Sequence, residues 1–137
     1  MIHVTLAVTG SISAYKAADI TSQLGKLGYS VSVLMTEAAS HFITPLTLQV
    51  LSKNPVSLDL MSEPRPDKVN HIEIGKETNL FLVAPATANT IAKLANGLAD
   101  NMVTATALAL PSHVKKAIAP AMNTKMYENP LTQHNLE

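Results

Sequence analysis

The stretch APAMNTKMYENP, residues 119–130, sets Met122 and Met126 four positions apart, with Asn123 between them and Pro120 and Pro130 towards its ends. Methionine is a flexible apolar filler, and asparagine both donates and accepts hydrogen bonds. On one loop they could wall a pocket for a small molecule that is partly flat and partly polar. They could equally be a core methionine beside a turn asparagine. Three other places carry comparable chemistry. TGSIS, residues 9–13, puts Gly10 where the backbone can turn tightly, with Ser11 and Ser13 flanking a helix start. Hydroxyls and free N–H groups there suit a phosphate, and a plain helix N-cap is the competing reading. The spacing is neither G-x-G-x-x-G nor a Walker loop, so a dinucleotide is not indicated. In PATANTIAKLANGLADN, residues 85–101, Thr87, Asn89 and Thr90 crowd a helix start. One cap is enough for one helix, so the surplus points to hydrogen bonds with something bound. Asp100 is a natural N-cap for the helix that follows. In NHIEI, residues 70–74, His71 sits in a short piece with Ile72 and Ile74 on one face. A lone histidine is more often structural than catalytic, and acid–base work is the alternative. The remaining histidines show no metal-ligand spacing, so no metal is expected.

These groups need elements to hold them. The 137 residues suffice for one domain with one sizeable core. Hydrophobic residues make up 47% and charged ones 15%, which suggests surface buried against further copies of the chain. Zero net charge without a lysine run argues against nucleic acid as a partner. With no cysteine the chain has neither disulfide nor thiol nucleophile of its own. No apolar run approaches the roughly 18 residues of a membrane span, and the amino terminus enters a strand pattern without the marks of a signal peptide. A soluble, cytoplasmic protein is expected.

Residues 2–8 alternate as a strand. Ala17, Ile20, Leu24 and Leu27 recur at helical spacing, and Gly28 stops that helix. A second strand is expected over 29–35, then a helical region over 37–52 broken near Pro45, and a short third strand in PVSLDL, residues 55–60. The proline-rich, charged stretch 61–68 reads as a mobile loop. NLFLVA, 79–84, is the apolar run of a strand buried on both faces. Helices follow over 88–96 and 100–110, parted by Asn96-Gly97, and VKKAIA, 114–119, is a last strand. This alternation predicts a doubly wound parallel α/β sheet of the Rossmann or flavodoxin kind, in a single domain over 1–137. Ligands of such sheets bind beyond the carboxyl ends of the strands, where strand order reverses. That rule selects TGSIS, TEAAS, PATANT and PAMNTKM.

GSISAYK, NHIEI, PATANTIAKLANGLADN and PAMNTKMYENP, in this order and at these separations, resemble the homo-oligomeric flavin-containing cysteine decarboxylases. The likeness spans nearly the whole chain. It implies FMN as cofactor, with Gly10, Ser11, Ile12 and Thr36 on the phosphate side. It further implies Thr87, Ala88, Asn89 and Thr90 against the flavin and Ala121 near its ring. His71 would be the catalytic histidine. Asn123 would hold the substrate's carboxylate, with Met126 completing that wall. Within the family the implied substrate is 4′-phosphopantothenoylcysteine, decarboxylated to 4′-phosphopantetheine in coenzyme A biosynthesis. The resemblance also implies a homo-oligomer, a trimer or trimers grouped further, and small-residue helices such as TATALAL point the same way.

Two departures stand out. Tyr127 replaces the family's usual tryptophan, and the active-site cysteine of the family's flexible segment has no counterpart in this chain. LTQHNLE reads as the first turns of a helix, so the natural protein is expected to continue past Glu137. Related readings are a peptidyl-cysteine decarboxylase, a flavin-fold regulatory subunit without catalysis, a flavin prenyltransferase and a flavodoxin-like carrier. The presence of both His71 and Asn123, and the lack of an acidic surface or tail, weigh against the last three.

Overall fold

The computed structural model describes residues 1–58 and 70–137, with the backbone alone at 70–73. Five strands, β1 (His3–Val8), β2 (Ser30–Met35), β3 (Val56–Ser57), β4 (Leu80–Ala86) and β5 (Lys115–Pro120), form one sheet in the order β3-β2-β1-β4-β5. Every neighbouring pair is parallel. The chain runs outward from β1 to β3 and then crosses to the other side of β1, so the order reverses between β1 and β4.

Helices cover both faces of the sheet. On one face Leu6, Val8, Val31, Val33 and Met35 pack with Ala17 of α1 (Lys16–Lys26) and Leu48 of α2 (Pro45–Ser52). On the other, Ala7, Leu34, Phe81 and Val83 pack with Ile91 of α4 (Ala88–Asn96) and with Met102 and Val103 of α5 (Met102–Leu108). The period-2 alternation of β1 and β2 thus divides one apolar set between two cores. β4 is buried on both faces, as its apolar run predicts, and extends to Ala86 through a cis Ala84–Pro85 bond.

Several expected boundaries hold. α1 gives way at Leu27 to Gly28, whose φ of 89° is left-handed, and α4 gives way to Gly97 at φ 71°. The break before Pro45 separates a 3₁₀ turn (Ala38–His41) from α2. There the Thr44 hydroxyl accepts from the N–H of Thr47, and proline takes a first-turn position that needs no donor. The third strand shrinks to Val56–Ser57. The stretch 61–68, expected to be a mobile loop, lies outside the described residues.

Two expectations are corrected. NHIEI belongs to a helix, α3 (Asn70–Glu77), where residues two apart stand about 200° apart and cannot share a face. Ile74 joins the second core, and the buried Thr78 hydroxyl donates to the Ile74 carbonyl (2.6 Å) and shares a hydrogen bond with Thr5 (2.6 Å), pinning the end of α3 to β1. The cap of α5 is Asn101, not Asp100. Asn101 Oδ1 accepts from the Thr104 N–H (2.9 Å), and Thr104 Oγ1 accepts from the Asn101 N–H (3.3 Å), a reciprocal box. Asp100 instead meets the Lys93 ammonium at 2.9 Å, and that bond holds its carboxyl below the usual range. Within TATALAL, Thr104, Ala105 and Thr106 are buried inside this chain, whereas Leu108 is exposed.

The cap makes a simple test. Asn101→Ala removes both box hydrogen bonds and should destabilise the fold by about 1 kcal/mol, read as a lower urea midpoint at unchanged slope. Asp100→Asn should leave the midpoint near wild type, because its partner is an exposed ion pair. Equal losses in the two variants would contradict the cap assignment.

Candidate functional site

Four loops leave the carboxyl ends of β1, β2, β4 and β5, and hydrogen bonds tie them together at the point where strand order reverses. The tie between the first and third is Thr9, wholly buried at the end of β1. Its hydroxyl donates to the Pro85 carbonyl (2.6 Å) and accepts from the Thr87 N–H (3.1 Å). The Ala121 N–H donates to the Ala86 carbonyl (3.0 Å), drawing the loop after β5 alongside. The Thr36 N–H donates to the Val8 carbonyl (3.1 Å), which holds the loop after β2.

Gly10 sits in the tight turn its type suggests, closed by the Ser11 N–H donating to the Thr9 carbonyl (2.9 Å), and it serves a second purpose as well. Its φ is not left-handed, and a Cβ built there would lie 2.5 Å from the Cβ of Ala38. The glycine is needed for the close approach of two loops.

Local structure sets the polar groups. Ser11 caps the 3₁₀ turn Ile12–Tyr15: its Oγ accepts from the Ser13 N–H (3.2 Å) and shares a hydrogen bond with Ser13 Oγ (2.9 Å). Thr87 caps α4, accepting from the Thr90 N–H (3.1 Å) and donating to the Thr90 hydroxyl (3.1 Å). Thr36 Oγ1 accepts from the Ala39 N–H (3.2 Å). The hydroxyls of Thr36, Thr87 and Thr90 therefore all have work within the chain, and Thr36 and Thr90 are buried. Asn89 is exposed, and among the described residues its side chain has no partner. The first N–H groups of a helix lack an intrahelical acceptor, and those of Ala88 and Asn89 find none elsewhere among the described residues. Across the four loops the charged side chains are Glu37 and Lys125, so an anion there would be met mainly by neutral donors and helix starts.

The stretch APAMNTKMYENP divides its labour. Met122 packs on the second core, whereas Met126 is exposed. Asn123 caps the short helix α6 (Thr124–Glu128), its Oδ1 accepting from the Met126 N–H at 2.9 Å. That bond fixes the sense of the amide: with the oxygen spent on the cap, Nδ2 is left to donate, and it has no partner among the described residues. Ala88 and Ala121 are half-buried beside these groups, and Ile12 is 83% exposed. A core methionine thus stands next to a capping asparagine that keeps one donor free among the described residues.

Gly10, Ser11, Ile12, Thr36, Thr87, Ala88, Asn89, Thr90, Ala121 and Asn123 accordingly lie on the loops at one end of the sheet. His71 lies in the first turn of α3, and its side chain is outside the described residues. Residue-type reasoning missed Thr9. The available signal was a lone hydroxyl closing an apolar strand just before a glycine. A groove of about 820 Å³ lies elsewhere, under edge strand β5, lined by Phe81, Leu94, Ile118 and Leu136. It is remote in kind from the loop cluster, being a furrow between α4, β5 and the last helix, α7 (Pro130–Leu136). Among the described residues no three acidic or histidine side chains gather as metal ligands, and no helix is long and apolar enough to cross a membrane.

Comparison with known proteins bears on this arrangement. The sequence profile of the family described as Flavoprotein matches residues 1–137. A probable phosphopantothenoylcysteine decarboxylase of Streptococcus mutans serotype c is 65% identical over 133 residues, 97% of this chain and 74% of the relative. The coenzyme A biosynthesis bifunctional protein CoaBC of Bacillus subtilis is 47% identical over 134 residues, 98% of this chain but 32% of the relative, so the chain spans about a third of that protein. Among solved structures, the FMN-dependent cysteine decarboxylase SpaF superposes with a TM-score of 0.91 at 29% identity, covering 99% of this chain and 77% of that one. A variant of PPC decarboxylase complexed with pantothenoylaminoethenethiol gives 0.84 at 32% identity, covering 98% and 75%.

Proposed function

Because this chain belongs to the Flavoprotein family, we propose that it binds FMN where the loops after β1, β2 and β4 meet and decarboxylates 4′-phosphopantothenoylcysteine to 4′-phosphopantetheine in coenzyme A biosynthesis. The observation that supports the substrate is the 65% identity to the Streptococcus mutans relative over 97% of this chain. The site's own chemistry fits the cofactor. Ser11, Ser13 and the open N–H groups of Ala88 and Asn89 suit a phosphate and the polar edge of a flavin ring, and Ala121 offers apolar surface for its flat face. When bound, the flavin supplies a reversible electron sink, which a cysteine-derived carboxylate otherwise lacks.

The chain's residues do the rest. Gly10, Ser11, Ile12 and Thr36 shape the phosphate side, and Thr87, Ala88, Asn89 and Thr90 the ring side. The buried Thr36 and Thr90 contribute through the hydrogen bonds they make within the chain, Thr36 with the Ala39 N–H and Thr90 with the capping Thr87. Asn123 donates through Nδ2 to the substrate carboxylate, with Met126 as the adjoining wall, and so orients the departing carbon dioxide. His71 takes up the thiol proton as the thiol is oxidised. A cytoplasmic location and a symmetric homo-oligomer, a trimer or trimers grouped further, belong to the same reading. The exposed Leu46 and Val50, one turn apart on α2, are apolar surface such an assembly could cover.

The cofactor assignment is tested by FMN titration of purified variants. Asn89→Ala removes a free amide, and Ser11→Asp sets a negative charge towards the phosphate. Each should weaken FMN binding by roughly 10-fold or more, since losing one such contact is worth about 1–3 kcal/mol. Full, stoichiometric yellow colour in both variants would contradict the site.

A further inference from the structure

We infer that Thr9 is a positioning residue that sets the two cofactor loops in register with each other, an inference that rests on the flavin reading above. Thr9 does this with both its backbone and its side chain. Its carbonyl accepts from the Ser11 N–H (2.9 Å), which fixes the loop that follows β1. Its hydroxyl donates to the Pro85 carbonyl (2.6 Å) and accepts from the Thr87 N–H (3.1 Å), which fixes the start of α4. Thr87 in turn caps Thr90, and Asn89 lies between them. One residue therefore references Ser11 on one side of the strand-order reversal and Asn89 on the other.

The geometry makes the hydroxyl hard to replace. Thr9 is 0% exposed, so water cannot stand in for either bond. A hydroxyl is the smallest side-chain group that donates and accepts through one atom. Valine has nearly the same shape and does neither, leaving the Pro85 carbonyl and the Thr87 N–H without this partner. Serine keeps both bonds. The strand supplies an internal control in Thr5, also buried on β1, whose hydroxyl meets Thr78 (2.6 Å) rather than either cofactor loop.

The experiment uses the full-length protein stripped of flavin and titrated with FMN, following flavin fluorescence and the visible circular dichroism of the bound ring. Thr9→Val should weaken FMN binding roughly 10-fold or more and alter the dichroism of whatever flavin binds. Thr9→Ser should restore both to near wild type. Thr5→Val should lower the thermal midpoint while leaving affinity and dichroism in place. Should Thr9→Val not fold, Thr9→Ala carries the same comparison against Thr9→Ser. Wild-type affinity and dichroism in Thr9→Val overturn the inference, as does an equal loss of affinity in Thr5→Val, which would mark general destabilisation. Wild-type protein that binds no FMN at all would instead overturn the flavin reading itself, so the two failures are distinct.

Discussion

Asn123→Asp is expected to give a folded protein with a normal flavin spectrum that no longer binds or decarboxylates substrate. The substitution is unusually clean here. An aspartate oxygen can accept from the Met126 N–H as Asn123 Oδ1 does, so the cap of α6 survives. What disappears is the Nδ2 donor, replaced by a negative charge facing the substrate's own carboxylate. Losing a charge-assisted hydrogen bond and gaining like-charge repulsion should cost about 10²-fold or more in kcat/KM. Most of the loss should appear in KM, because both effects act on the ground-state carboxylate. The measurement is steady-state carbon dioxide release under saturating FMN. Turnover near wild type would remove Asn123 from substrate recognition.

His71→Asn is expected to fail at a different step. Asparagine is polar and of similar size but cannot take up a proton near neutral pH. FMN binding should be unchanged, since His71 lies on α3 and not on the loops that follow β1, β2 and β4. Thiol oxidation and carbon dioxide release should fall together by roughly 10²–10⁴-fold, the usual worth of a positioned acid or base. Substrate-induced bleaching of the flavin, followed anaerobically in a stopped flow, separates this from a binding defect. Rapid bleaching with slow carbon dioxide release would place the histidine after oxidation, and normal rates for both would exclude it.

How much of this was legible in the sequence depends on how local the cause was. β1, β2, β4, α1 and α4 follow from apolar periodicity and from Gly28 and Gly97, because the features that make and end them lie within one window of chain. The four loops then follow from strand order alone. Where sequence reasoning went astray, the deciding contact was distant or had a local competitor. Thr9 looks like any polar residue ending a strand, and its role comes from partners 76 and 78 positions away. Gly10 was recognised for its freedom to turn, but the approach of Ala38, which leaves no room for a Cβ, was out of view. Asp100 and Asn101 are both good caps. Asp100 was drawn off by Lys93 and Asn101 had Thr104 three residues ahead to complete a box. The helix of NHIEI was hidden by isoleucines two apart, a spacing that imitates a strand.

A site that takes the carboxylate from a phosphopantothenoyl-linked cysteine should distinguish that substrate from a peptide. Full-length protein saturated with FMN should be offered 4′-phosphopantothenoylcysteine and, separately, a peptide ending in cysteine, with released carbon dioxide and the thiol product measured by mass. Steady release from the phosphopantothenoyl substrate, with formation of 4′-phosphopantetheine and at least 10²-fold lower kcat/KM for the peptide (roughly 3 kcal/mol of discrimination), is the predicted result. Preferred turnover of the peptide, or no carbon dioxide from either compound by a fully flavin-loaded protein, would contradict it.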